Sequence, residues 1–295
     1  MKINFIGVGA QKCASTWVHR VLSDHPEVAI YQGKESDFFS TYYGRGYQWY
    51  EKQVGDTSTV SAKGEISPSY FSNSDTPSRV FLYNSAMRIV LLLRDPIERA
   101  YSNHLHVVRQ GYLTGQKLSF EDGLANNPMY IEQSRYARHL ARWFEVFPKN
   151  QVLAIFQEDI RDNPQMQARN LYRFLRINEN HQSWFLEKRV NESVVVKNAK
   201  LDLFLKQLGK IGRYAGGKKI VEAVKNNDLI RNLRRNHNQI QLREVIPPMR
   251  EDTRKHLQDV LADDMNELLC QLNLEKLPWE SWLALQHESS MNQLR

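Results

Sequence analysis

The sequence predicts an α/β fold, with a central parallel sheet flanked by helices and a mainly helical C-terminal third. Three observations carry this expectation. Short apolar runs without polar alternation recur at residues 3–8, 28–30, 88–93 and 151–156, the pattern of strands buried on both faces. Stretches with apolar residues at helical spacing lie between them, and such alternation implies parallel strands joined by helices. After about residue 180 the strand signals fade.

The elements follow in order. The first run leads through Gly7-Val8-Gly9-Ala10-Gln11-Lys12-Cys13-Ala14-Ser15-Thr16-Trp17 into a helix ending near Ser23. His25-Pro26 closes that helix, because a residue before proline avoids helical geometry. Val28-Ala29-Ile30 is a second strand, running into a loop with Lys34, Glu35, Phe38 and Phe39. Residues 42–53, rich in Tyr and Gly, predict a short amphipathic helix and surface loop, and residues 62–71 a strand end and turn. Residues 88–93 form the clearest buried strand. Pro96 then suits the first turn of a helix reaching about Arg109. Residues 111–127 predict a polar loop, 134–147 a long amphipathic helix closed by Pro148, and 151–156 another strand. Asn163-Pro164 opens a helix to about Leu175. Residues 197–235 are basic and helical in pattern, Pro247-Pro248 marks a boundary, and 250–272 predict a final amphipathic helix.

The chain has 295 residues, 41% of them hydrophobic and 11% aromatic, enough to bury a full core. We expect one domain over residues 1–295, with an α/β nucleotide-binding core at 1–180 and a helical layer at 181–295. The net charge of +7 favours phosphorylated, sulfated or polyanionic partners without choosing among them. Two cysteines, Cys13 and Cys270, provide no disulfide framework and no metal cluster. The first strand begins almost at Met1, and no apolar run approaches the roughly 18 residues that span a membrane. A cytoplasmic protein without a membrane span is expected.

Three stretches carry chemistry. A strand, a glycine-containing loop and a helix start form an anion-binding arrangement. A nucleotide P-loop of the form G-x-x-x-x-G-K-[ST] sets its Lys directly before the hydroxyl that holds magnesium. Here Lys12 stands three residues before Ser15, and no second glycine precedes it. The remainder suits a phosphate or phosphosulfate held without an obligatory metal; a plain strand-to-helix turn with a solvated lysine is the competing reading. The run 88–93 presents Arg94 at its C-terminal end, where open α/β sheets bind ligands, and a guanidinium matches phosphate oxygens. Ser102, eight residues on, adds a hydroxyl, while Asp95, Glu98 and Arg99 read as capping and ion-pair residues. Glu35 beside Lys34 is either a general base for an acceptor or half of a solvated pair.

In combination and in this order, these stretches resemble the sulfotransferases that use 3′-phosphoadenosine 5′-phosphosulfate (PAPS), nearest the heparan-sulfate-type carbohydrate branch and its bacterial relatives. The likeness rests on Gly9 to Thr16, on Lys34-Glu35-Ser36-Asp37-Phe38-Phe39, and on Glu65-Ile66-Ser67-Pro68-Ser69-Tyr70. It continues in Arg94-Asp95-Pro96-Ile97-Glu98-Arg99-Ala100-Tyr101-Ser102 and in Tyr136 to Phe144 followed by Phe147-Pro148. The resemblance implies a P-loop-NTPase-like sheet, PAPS as cosubstrate, PAP as product and no metal. It implies Lys12 and Glu35 as catalytic residues, Lys12 at the oxygen bridging phosphate and sulfate, and Glu35 as the base. It further implies backbone N–H groups of Cys13, Ala14, Ser15, Thr16 and Trp17 on the 5′-phosphate, and Arg94 with Ser102 on the 3′-phosphate. Lys34, Asp37, Tyr70 and Tyr136 become candidate contacts to an acceptor hydroxyl or amine on a sugar or glycolipid.

Two departures bear on that acceptor. Asp37 stands where the eukaryotic heparan-sulfate enzymes commonly have His, and Ile66 where they have a Lys that meets the anionic glycan. Both remove polar or cationic contacts and argue against a highly sulfated acceptor. His104 and His106 are either an alternative base or surface residues, and Gly216-Gly217-Lys218-Lys219 either closes over the nucleotide or caps a basic helix. A phenol, a secondary-metabolite alcohol or a protein tyrosine is the alternative acceptor, since Tyr42, Tyr43, Tyr47, Trp49 and Tyr50 suit an apolar pocket as well as a sugar platform. A P-loop kinase is disfavoured by the missing G-K-[ST] and by Arg94 in the carboxylate's place. A nucleic-acid-binding module has only the net charge behind it. The partner expected is therefore a glycan or small molecule and no nucleic acid.

Overall fold

Four short, mostly apolar runs and one segment with buried charged residues pair into a five-stranded sheet. The structure, a computed structural model, describes residues 2–33, 35–55, 60–110, 112, 118–186, 194–196, 239–241 and 246–282. Its strands are β1 (Phe5–Gly9), β2 (Val28–Ile30), β3 (Ala62–Ile66), β4 (Arg88–Leu93) and β5 (Val152–Phe156). They pair in the order β2-β3-β1-β4-β5, every pair parallel. All their C-terminal ends therefore lie along one edge. Residues 103 and 104 also mark a division into two compact units, one of residues 1–103, 127–190 and 250–295, the other of 104–126 and 191–249.

β3 was expected as a strand end and is an interior strand. All five of its residues are buried, including Lys63 and Glu65, whose polarity hides the strand in the sequence. Gly64 is required there, since a Cβ would stand 2.2 Å from the Phe5 carbonyl oxygen of the neighbouring strand.

The helices of the first unit are α1 (Ser15–Ser23), α2 (Tyr47–Val54), α3 (Thr76–Tyr83) and α4 (Pro96–Arg109), which runs into the second unit. Within the second unit, α5 (Phe120–Asn126) occupies part of the stretch expected as loop. Ser119 caps it: its hydroxyl accepts from the Asp122 N–H at 3.1 Å and donates to the Asp122 carboxylate at 2.7 Å. The first unit resumes with α6 (Met129–Glu132), α7 (Tyr136–Phe144), α8 (Gln157–Asp162) and α9 (Pro164–Leu175).

α7 is shorter than the expected 134–147, because Ser134 is drawn into a buried hydrogen-bond cluster before the helix starts. In the second unit, β6 (Val194–Val196) and β7 (Gln239–Gln241) pair antiparallel, two short strands within a third expected to be mainly helical. The basic stretch 197–235 and the Gly216–Lys219 cluster lie outside the described residues. The last helix, α10 (Glu251–Leu272), belongs to the first unit and sends Asp264 to the start of α7. There the carboxylate accepts from the Ala137 and Arg138 N–H groups at 2.9 and 3.1 Å, a cap that Arg135 does not supply. Among the described residues no helix is long and apolar enough to cross a membrane.

Candidate active site

β1 ends at the centre of the sheet, and its continuation is the glycine-containing loop. Gly9 has φ +116°, and a Cβ on it would meet the Pro68 carbonyl oxygen at 2.6 Å. Lys12 and Ala14 follow with φ of 72° and 64°, so Cys13 lies between two left-handed residues. Alternation of this kind turns successive backbone N–H groups toward one concave side. α1 begins at once, without a side-chain cap or an acidic residue in its first turn, so its positive dipole end faces that loop. These features fit a phosphate or phosphosulfate group.

One part of the expected cradle needs correction. The Trp17 N–H donates to the Ala14 carbonyl at 2.9 Å, so the cradle ends at Thr16. Trp17 instead packs in the core, where its indole N–H finds no partner among the described residues. Cys13 is fully buried, and burial pushes its thiol up to about 12. It therefore offers no thiolate at neutral pH.

β4, adjacent to β1, delivers Arg94 to the same sheet edge. Its side chain is mostly buried, 3.7 Å from the Glu98 carboxylate, which Arg254 of α10 also meets at 2.9 Å. Asp95 caps α4 by accepting from the Ile97 and Glu98 N–H groups at 2.9 and 3.2 Å, as expected of it. Ser102, two turns into α4, is nearly buried. Arg99 was expected as a capping or ion-pair residue, but its partners among the described residues carry no charge. Fully buried, it donates to Ser134 Oγ (2.8 Å), Gln133 Oε1 (3.2 Å) and the Tyr130 carbonyl (2.5 Å), all neutral acceptors. It clamps α4 to the turn that leads into α7.

Tyr136, at the start of α7, was expected to meet the acceptor. It is completely enclosed; its hydroxyl donates to the Arg94 carbonyl at 2.9 Å and lies 3.8 Å from Cys13 Sγ. Its place is between the β1 loop and the end of β4, which it ties together.

The loop after β2 carries Glu35, half-buried. It is joined to the β1 loop through the segment after β3. There Ser67 and Phe71 donate backbone N–H groups to the Gly7 and Val8 carbonyls at 2.9 and 2.8 Å, while the Ser67 hydroxyl accepts from Ser36 and Asp37 N–H groups, both at 3.0 Å. Tyr70, also expected at the acceptor, is fully buried and donates to Glu65 at 2.5 Å. Asp37 sits at φ 48° and accepts from the Ser69 hydroxyl at 2.6 Å, so it shapes the turn after Glu35 while staying half-exposed. Lys34 lies outside the described residues.

Within the second unit, a ring nitrogen of His104 lies 2.9 Å from the Leu118 carbonyl, and the ring meets Phe120 edge-on. That engagement is structural. The residue missed by sequence reasoning is Glu65. It was quoted within a motif without a role, and only its total burial distinguishes it from an ordinary surface glutamate.

A family model described as "Sulfotransferase domain" matches residues 3–201 of the chain. Heparan sulfate glucosamine 3-O-sulfotransferase 5 of Homo sapiens is 26% identical over 181 residues, 58% of this chain and 52% of that protein. Membrane-associated sulfotransferase kil1 of Dictyostelium discoideum is 38% identical over 104 residues, 34% of this chain and 22% of that protein. The chain thus spans about half or less of the length of these relatives. A crystal structure of a sulfotransferase from Alicyclobacillus acidocaldarius superposes with a TM-score of 0.68 at 22% identity, over 94% of this chain and 98% of that one, a likeness of fold.

Proposed function

Because the chain belongs to the sulfotransferase domain family, we propose that it transfers a sulfuryl group from PAPS to a hydroxyl or amine, on a sugar or glycolipid. The observation that carries this reading is the concave β1 loop with its two left-handed residues, leading into an uncapped α1 beside Arg94 at the end of β4. PAPS supplies an activated sulfuryl group on a phosphate leaving group. Backbone N–H groups of Cys13 to Thr16 hold the 5′-phosphate, and Arg94 with Ser102 holds the 3′-phosphate. Lys12 neutralises the charge that builds on the oxygen leaving sulfur. Glu35 takes the proton of the acceptor as its oxygen or nitrogen bonds to sulfur. The contribution of the chain is then positioning and electrostatic stabilisation, as in phosphoryl transfer. No metal has a part in this scheme.

A sugar acceptor is supported by the names of the heparan sulfate relatives, while the aromatic cluster around Phe38 suits a sugar platform and an apolar pocket equally. Phe38 lies 5.6 Å from Tyr43 and 6.1 Å from both Tyr47 and Trp49, and Tyr42 and Tyr47 are exposed. The reading takes residues 1–295 as one domain, with a core at 1–180 and a helical layer at 181–295, and a cytoplasmic setting in keeping with two cysteines in the chain.

The test is thermal denaturation with PAP in the presence of a chelator, joined to an acceptor screen with labelled PAPS. PAP raises Tm without magnesium, and Lys12→Ala and Glu35→Gln keep the parent fold while losing transfer. Stabilisation by ATP–Mg²⁺ but not by PAP overturns the reading. Transfer confined to phenols would keep the chemistry and replace the sugar.

A further inference from the structure

We infer that Glu65 is a positioning residue that sets the backbone of the Glu35 loop through a one-way relay of hydroxyl groups, an inference that rests on Glu35 being the base. Glu65 is wholly buried in β3, with no cation beside it among the described residues; its shortest hydrogen bonds come from hydroxyl groups, and the Ser36 N–H also faces it. Ser67 donates to Oε2 at 2.6 Å, while Tyr70 and Tyr50 donate to Oε1 at 2.5 and 3.2 Å. A buried carboxylate is costly, and an apolar side chain would fill the space at less expense.

What the charge secures is direction. A hydroxyl has a single proton to give. Ser67 gives its proton to Glu65, so its lone pairs face outward and receive the N–H groups of Ser36 and Asp37, both at 3.0 Å. Tyr70 likewise gives its proton to Glu65 and receives the Phe39 N–H at 3.2 Å. With that proton committed, Ser36 Oγ, 3.1 Å away, donates to the Tyr70 oxygen and receives the Phe38 N–H at 3.3 Å. Four consecutive backbone N–H groups, 36 to 39, are thus held by hydroxyls whose protons run to one carboxylate. They begin at the residue after Glu35.

Burial raises the Glu65 carboxyl above its ordinary range, and the hydroxyl donors work against that rise. Glutamine at this place has the same shape but brings an N–H₂ that must face a hydroxyl already donating. One link of the relay then reverses, and an N–H of the loop loses its acceptor.

The experiment compares Glu65→Gln, Ser67→Ala, Tyr70→Phe and Glu35→Gln with the parent in steady-state transfer, in the Tm shift caused by PAP, and in Tm alone. Glu65→Gln is expected to keep the parent PAP shift and acceptor KM and to lose about 10²-fold in kcat, the effect of misplacing a reacting group by about 1 Å. Should Glu65→Gln fail to fold, Ser67→Ala and Tyr70→Phe each remove one link and lose about tenfold in kcat with PAP binding intact. Parent kcat in Glu65→Gln, or in both single-link variants, refutes the relay. So does a kcat loss matched by an equal loss of PAP affinity, which is the mark of a general packing defect. Parent-level transfer by Glu35→Gln overturns the base assignment itself, whatever Glu65→Gln does.

Discussion

Arg99→Ala tests the packing that supports the nucleotide side of the site. Three buried or half-buried acceptors lose a cationic donor, at Ser134 Oγ, Gln133 Oε1 and the Tyr130 carbonyl. Hydrogen bonds to charged groups contribute about 1.5–3 kcal/mol each, so the gross loss over three is about 4.5–9 kcal/mol. Part of it is recovered. Ser134, with one proton to give, keeps a bond to the Pro96 carbonyl at 2.9 Å or to the Tyr130 carbonyl at 3.1 Å. Gln133 is half-exposed and turns to water, and removing a buried cation lifts its own desolvation cost. A net destabilisation of about 3–4 kcal/mol remains, a drop in Tm of about 6–16 °C for a domain of this size. Because the clamp sets α4 against the turn before Tyr136, the PAP-induced Tm shift should shrink as well. Urea unfolding followed by tryptophan fluorescence, with and without PAP, measures both. A variant within about 1 kcal/mol of the parent would refute the argument that these acceptors depend on Arg99.

Two further outcomes follow from the same geometry. With its thiol pushed up to about 12 by burial, Cys13 is un-ionised at neutral pH, whereas Cys270 is exposed. Iodoacetamide on the folded protein should add to Cys270 alone by mass spectrometry, and Cys13→Ala should retain transfer; alkylation of Cys13 before unfolding contradicts this. His25 is buried, with Nδ1 accepting from the Glu27 N–H at 3.2 Å and Nε2 donating to the Asn178 carbonyl at 2.9 Å, which fixes the neutral ring. Burial lowers its affinity for a proton in the folded state, so the unfolded chain binds more protons as pH falls below about 6.5. The stability it contributes is therefore present above that pH and lost on acidification through the lowered folded value. The Tm difference between pH 7.5 and pH 5.5 should narrow in His25→Gln, and an unchanged difference contradicts the assignment.

The legibility of the sequence varied with how local each signal was. β1, β4, β5 and α9 announce themselves because a continuous apolar run or an Asn-Pro start is a property of neighbouring residues. The displaced Lys12, the Arg94 at a strand end and the order of the motifs were likewise enough to name the family whose model the chain matches. β3 was obscured because Lys63 and Glu65 break the apolar run, and their burial comes from strands and loops far away in sequence. The start of α7 was misplaced because Ser134 is claimed by Arg99, 35 positions earlier.

By itself, the sequence determined the strand-loop-helix order, the parallel alternation and the residue types set out at strand ends, all of which are local or periodic in the chain. The tertiary structure alone decided which of those residues meet solvent and which hold the others in place. Tyr70, Tyr136 and Arg99 look like surface donors in a list of motifs, yet the fold encloses all three. Their hydrogen bonds join segments far apart in the chain, 42 positions from Tyr136 to Arg94 and 123 from Tyr136 to Cys13, and a polar group taken from water must be paired wherever the chain brings its partner. Glu65 shows the same reason most plainly, since only enclosure turns an ordinary glutamate into the point where the hydroxyl groups behind Glu35 converge.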